Sequence, residues 1–357
     1  MPATRVLEHL VGMQAQNPLD PYYALWARME GFQPEELSDL IEGHGAVRSP
    51  GLRATIHLVT ARDARSMRPT LGPVLARTFG STAFARDIEG IDREALLDSA
   101  RTIIEESPRT RAALGPLLAD LWPGRVPNSL AMAATYLIPV VQVPPRGMWQ
   151  RKGVAAWTTM EKWLGGPLGA PGEPDELILR YLAAFGPAAT KDMRVWSGLA
   201  GLAGVVERLR PRLLTFQDES GVELFDLPEA PRPDPLTPAP VRFLPEYDNL
   251  LLSHSDRSRF FDGSLTPQGW VGNLLVDGMF AGSWKITRAR KRTRLEVSPG
   301  RQLARAETDE VTAEGYKLLG SSDPADDHAV VVIAAHQKAP GSRSISPRSP
   351  TRPREPF

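Results

Sequence analysis

Two glutamines, Gln14 and Gln16, flank a single alanine near the start of the chain. Leu7, Leu10 and Val11 form the apolar stripe of a first helix over 3–13, and Gln14 continues that stripe where a core residue belongs. A buried amide left without partners costs about 1–3 kcal/mol. Pro18 disfavours helix at Asn17, so the helix is expected to end near Gln14. If residues 14–16 are extended, both amides project to the same side. On spacing alone the plainer account is the heavier one: both amides satisfy backbone groups at a helix end.

Three more groups could carry chemistry. Arg53, Thr55 and His57 share one face of an expected strand over 52–59, with Arg48, Arg62, Arg65, Arg68 and Arg77 nearby. Such a row can hold a phosphate, or it can be a solvated strand face, and the two accounts weigh equally. Glu246, Asp248 and Asn249, followed by Ser253, His254 and Asp256, invite a metal or acid–base reading. Their spacing matches no metal motif, and loop-packing ion pairs account for them better. Lys285, Arg288, Arg290, Lys291, Arg292 and Arg294 make six of ten residues basic on an expected hairpin tip, a cluster suited to phosphates. Arg208, Arg210 and Arg212, at the end of an expected recognition-type helix, repeat the theme. No P-loop, dinucleotide fingerprint or zinc-protease motif is present, and neither a metal nor a cofactor is expected.

The elements that must position these groups recur three times as helices followed by a hairpin, the order of a winged helix. The third copy is plainest: helices over 176–185, 190–196 and 202–209, then strands over 213–216 and 222–225 around the turn QDESG. Thr190 fits the N-cap of its second helix. The second copy has helices over 93–106, 110–121 and 128–138, the last capped by Asn128, then a hairpin of 140–143 with 148–150. The first has helices over 3–13, 20–30 and 35–43, the strand over 52–59, and a capping box at Thr60. The fold class is therefore α+β. Its parts are winged helices over 1–90, 91–175 and 176–226, a Pro-rich linker over 227–240, a β-rich, barrel-like domain over 241–338, and a disordered tail over 339–357. Asp277-Gly278 is a strong hairpin turn within the β-rich part.

Composition excludes other classes. The chain of 357 residues has no cysteine, so disulfides, thiolate metal sites and a cysteine nucleophile are absent. Lys plus Arg equals Asp plus Glu at 42 each, which excludes a protein that coats DNA by charge alone. No run of 18 apolar residues or signal design occurs, so no membrane partner is expected, and a cytoplasmic, nucleoid-associated monomer is. Arginine outnumbers lysine by 35 to 7. A GC-rich coding sequence is the simplest account of that skew, beside selection for bidentate phosphate binding.

Several stretches together resemble the winged-helix DNA glycosylases of the AlkZ and YcaQ type. They are LVGMQAQ at 10–16, RATIHLV at 53–59, VQVPPRG at 141–147, RFLPEYDNLLLSH at 242–254 and VDG at 276–278, in the family's order across about residues 4–336. The long 242–254 stretch is specific, whereas the short ones are not specific singly. The resemblance implies three winged helices in a C-shaped clamp, followed by a barrel-like domain. It implies excision of N7-alkylated purines from double-stranded DNA, crosslinked guanines included. Gln14 and Gln16 match the catalytic Gln-x-Gln motif. It also implies a helix ahead of residues 4–16, so the first winged helix is expected to be N-terminally short. A non-catalytic winged-helix regulator and a toxin-binding self-resistance protein are the alternative readings.

Overall fold

Side-chain caps start several of the helices that frame the molecule. In a computed structural model that describes residues 1–234, 236–261, 272–289, 292–322 and 327–333, Thr60 accepts from the Asp63 N–H, Asp92 from Glu94 and Ala95, and Thr110 from Ala113. Each bond satisfies an amide that the first turn of a helix leaves open. Two expected caps differ. Helix Pro127–Leu137 opens on its proline after Val126, not on Asn128. Helix Thr190–Ser197 is preceded by Ala189, whose N–H donates to the Asp192 carboxylate, so Thr190 lies inside it.

The described chain divides into two compact units, residues 1–233 with 247–256, and residues 234–246 with the remainder. The sequence assigns 241–338 to one β-rich part, whereas 247–256 packs within the first unit. The chain is α+β throughout.

The first unit holds strands β1 (Met13–Gln14), β2 (Ala46–Pro50), β3 (Ile56–Thr60), β4 (Arg109–Thr110), β5 (Val140–Gln142), β6 (Ala156–Thr159), β7 (Leu214–Gln217) and β8 (Glu223–Asp226). The first six form one sheet in the order β1-β3-β2-β5-β6-β4. Hairpins β2–β3 and β5–β6 meet where Arg48 pairs with Gln142. Val47, Val59, Val141, Val143 and Met160 make the apolar cluster at this junction. The partner of 140–142 is thus β6, not 148–150. Those residues lie in the intervening loop, where the Trp149 N–H donates to Ser38 Oγ and Met148 is buried.

Helices Asp175–Phe185, Thr190–Ser197 and Leu202–Leu209 precede β7 and β8, which form a two-stranded sheet joined by a bridge between Phe225 and Ala188. Their core is aromatic, with the Tyr181 and Trp196 rings 4.7 Å apart. Arg180, on the first of these helices, forks onto the buried Asp63 carboxylate at 2.9 and 2.6 Å and also donates to the Glu8 carbonyl. One ion pair therefore ties together helices Ala3–His9, Ala61–Thr70 and Asp175–Phe185.

In the second unit β9 (Arg242–Leu244), β10 (Gly272–Val276), β11 (Met279–Ala289), β12 (Arg292–Pro299) and β13 (Asp327–Val332) order as β13-β12-β11-β10-β9. Asp277 and Gly278 both take positive φ in the expected tight turn between β10 and β11. The β-rich expectation is met, but the barrel-like one is not. Among the described residues the sheet is open, and helix Arg305–Ser322 lies against β12 and β13. Residues 339–357 lie outside the described residues, and no described helix is long and apolar enough to cross a membrane.

Asp63→Asn should lower stability by about 3 kcal/mol, because the Arg180 guanidinium loses its counter-charge in a largely buried setting. The double variant with Arg180→Met should recover part of that loss. Urea denaturation checks both outcomes.

Candidate active site

Helix Ala3–His9 stops four residues earlier than its apolar stripe suggests. Val11 and Gly12 both take positive φ, of 56° and 87°, and swing the chain into β1. Gly12 is required there, since a Cβ would lie 2.5 Å from Val59 Cγ1 and 3.0 Å from the Leu58 carbonyl. Gln14 therefore sits on a strand, opposite His57 of β3, and not on the helix stripe.

Both backbone groups of Ala15 are engaged. Its N–H donates to the Ile56 carbonyl at 2.7 Å, and its own carbonyl accepts from Arg48 Nη2 at 2.7 Å. Gln14 Oε1 accepts from Arg53 Nη2 at 2.8 Å, and Gln16 Oε1 accepts from the Ile56 N–H at 2.9 Å. Both partners can only donate, so each amide is oriented by chemistry: oxygen toward the protein, NH₂ away. Among the described residues nothing accepts from either NH₂ group, and neither nitrogen is sealed from solvent. The tripeptide thus presents four N–H bonds as unused donors.

Arg53 and Thr55 do not lie on a strand beside His57. Residues 52–54 form a tight turn in which Arg53 and Ala54 both take positive φ. The turn is closed by Gly51 N–H to the Thr55 carbonyl and by Thr55 N–H and Oγ1 to the Leu52 carbonyl. Strand β3 starts only at Ile56, so the expected common face is lost. His57 is buried, and burial first, then the Arg53 charge, holds its imidazole down at about pKa 3. The ring is neutral at physiological pH. Its Nδ1 lies 3.1 Å from the Thr55 carbonyl, which can only accept, so Nδ1 carries the proton. On one side it borders a mostly apolar pocket with Leu52, Val59, Met67 and Leu71.

Arg48 was counted in the sequence only among neighbouring cations. It is 2 % exposed, donates through Nε to Gln142 Oε1, and stays charged although burial lowers its pKa to about 9. Gly147, at φ 88°, makes room for it, since a Cβ would lie 2.5 Å from Arg48 Cδ. The VQVPPRG stretch thus builds the seat of Arg48. A glutamine inside an otherwise apolar strand was the readable signal.

Asp248 and Asn249 also serve this segment. Asp248 takes a two-pronged bond from Arg28 at 2.9 and 2.7 Å. Asn249 Nδ2 donates to the carbonyls of Leu10 and Gly12, at 3.1 and 2.6 Å, just ahead of Gln14. Glu246 belongs to the second unit, where its carbonyl accepts from Asn273.

The other basic residues lie elsewhere. Arg208 pairs with Glu173 and Asp175, and Arg210 with Glu207 and Glu223, as exposed surface pairs. Arg212 follows in a short turn. Lys285 and Arg294 share Glu296, and Arg292 pairs with Asp327. Arg288 is exposed on β11, and Arg290 and Lys291 lie outside the described residues. Surface pairs of this kind contribute little to stability and leave the cations usable by a polyanion.

The tripeptide thus sets two neutral amides side by side, each with its oxygen bonded to the protein. Residues 7–320 match the family described as DNA glycosylase AlkZ-like, and the chain belongs to that family: it is a DNA glycosylase of DNA repair. The solved structure of the Streptomyces sahachiroi DNA glycosylase AlkZ is similar, with a TM-score of 0.70 at 20 % identity over 93 % of this chain and 94 % of that one. No curated protein matches the chain.

Asn249→Asp should be as damaging as Asn249→Ala. The carboxylate would face two carbonyls it cannot donate to, so stability should fall by about 2 kcal/mol and base release should drop with it. Denaturation and a base-release assay read the two effects. His57 also gives stability a pH dependence. Its folded pKa lies below the unfolded value of 6.5, so the unfolded chain alone takes up a proton between about pH 6.5 and 3. Stability should be fully present above pH 6.5 and fall as pH drops through that window, by at most about 1.4 kcal/mol per unit. His57→Asn should flatten this slope by one proton in pH-dependent urea melts.

Proposed function

We propose that this glycosylase excises bulky N7-alkylated purines from double-stranded DNA, crosslinked guanines among them, acting as a cytoplasmic monomer with Gln14 and Gln16 as its catalytic pair. In this reading the three helix groups are three winged helices that grip the duplex, and the basic arms β11 and β12 offer further phosphate contacts. The observation that carries it is the Gln14-Ala15-Gln16 tripeptide, pinned on both backbone groups with its two NH₂ groups unused.

The chemistry fits the substrate. An N7-alkylguanine carries positive charge on its ring and leaves without being protonated. Cleavage at C1′ then builds an oxocarbenium-like sugar, as in glycoside hydrolysis. What remains is to hold the sugar–phosphate and place a water. The NH₂ groups can hold oxygen atoms of the backbone, and an amide oxygen keeps a second lone pair for a water proton. No carboxylate is bonded to either amide among the described residues, so the site depends on the leaving group's own charge.

Purified protein should therefore release N7-methylguanine from a duplex and unhook a mustard crosslink, while leaving uracil and hypoxanthine in place. Between pH 6 and 8 the single-turnover rate should be flat, because His57 and both amides do not titrate there and Arg48 stays charged. Gln14→Ala and Gln16→Ala should each lower the rate about 100-fold. Absence of abasic sites, with both variants indistinguishable from the parent, would sink the proposal. A footprint without base release would favour the regulator, and tight binding of free toxin without DNA the self-resistance protein.

A further inference from the structure

We propose that Arg53 is the positioning residue of the catalytic site, and that it fixes Gln14 as a hydrogen-bond donor to an oxygen of the DNA backbone. This rests on the reading of Gln14 as a catalytic residue and assigns it a direction.

Three observations support it. The turn at 52–54 holds two consecutive non-glycine residues in the left-handed region, each costing about 1 kcal/mol or more. The turn aims the guanidinium inward, at two acceptors and no carboxylate: Gln14 Oε1 and the Trp196 carbonyl. Trp196 lies at the C-terminal end of helix Thr190–Ser197, whose open carbonyls favour a cation. Gly198 follows with φ 79°, and an added Cβ there would lie 3.3 Å from Arg53 Cα, so the turn is seated closely on that helix end. Arg77 donates to the Gly198 carbonyl beside it.

The chemistry gives the direction. A guanidinium bonded to an amide oxygen draws electron density from that amide. The oxygen becomes a weaker acceptor and the NH₂ a stronger donor. Gln14 is thereby suited to an oxygen of the DNA backbone, a phosphate or sugar oxygen, and poorly suited to taking a proton from water. Arg53 is not a phosphate ligand in this account. Its two bonded nitrogens face inward, and it reaches the substrate only through Gln14.

The test uses the full-length protein and a duplex with one N7-methylguanine, in single turnover with salt titration. Gln14→Glu keeps an oxygen for the bond to Arg53 but replaces the NH₂ donor by a second acceptor oxygen. The proposal expects a folded protein of equal or higher melting temperature whose rate falls at least 100-fold. A Gln14→Glu variant with the parent's rate or a faster one would overturn it. Arg53→Met should lower the maximal rate about 10- to 30-fold, leave the half-saturating DNA concentration and its salt slope unchanged, and add nothing in a Gln14→Ala background. Arg53→Lys should recover part of the rate. Losses that add in the double variant, or a salt slope reduced by about one, would make Arg53 a direct phosphate ligand and overturn the positioning role. If Gln14→Ala alone keeps the parent's rate, the catalytic reading itself fails, an outcome separate from these.

Discussion

The carbonyl of Ala15 accepts from a guanidinium that solvent does not reach, and the geometry of the site follows from that bond. Burying Arg48 carries a desolvation cost of several kcal/mol. It is offset by good bonds to Gln142 and Ala15, by the space that Gly147 leaves, and by the packing of two hairpins into one sheet. Strand β3 holds the other side of the tripeptide through Ile56, whose carbonyl and N–H serve Ala15 and Gln16 in turn. A short strand at the edge of a six-stranded sheet would ordinarily fray. Here it is held from both sides, so the two amides have little freedom to rotate into useless orientations.

Arginine has a common task across the first unit. Arg48, Arg53, Arg65, Arg68, Arg77 and Arg180 all donate to backbone carbonyls, several at helix ends or in loops. A planar fork can serve two or three acceptors at fixed angles, which a lysine ammonium does less well. The arginines of this unit are in large part internal connectors. Cations suited to a polyanion lie on the surface instead, at Arg208–Arg212 and on β11 and β12, held by exposed acids.

Elements with a strong local signal were legible in the sequence. The helices of the second and third groups fall within a residue or two of their expected ends, because caps and apolar spacing act within one turn. The Asp277-Gly278 turn follows from backbone preference alone. The pairing of β5 with β6 was not legible, since a loop of thirteen residues intervenes and Met148 mimics a strand by being buried in that loop. The Gln-x-Gln pair was visible as an anomaly, an amide on an apolar stripe. Its setting was not, because the stripe breaks at Val11 and Gly12 through contact with β3. Arg53, Thr55 and His57 read as one strand face because alternation cannot reveal a left-handed turn. Their true relation is fixed by Trp196, 143 residues away. Asp248 and Asn249 stood out by type, and only the fold shows that they act on backbone and on Arg28.

The bond from Asn249 to the carbonyls of Leu10 and Gly12 spans nearly 240 positions of sequence. Its consequence concerns the order in which the protein is made. A ribosome delivers the glutamines first and their anchor long afterwards, when all the helix groups have already emerged. Until then the segment ahead of Gln14 lacks its clasp, and a chain interrupted by a premature stop before residue 249 carries the whole motif without the means to hold it. On the proposed reading of the two glutamines, activity is then a property of the finished chain.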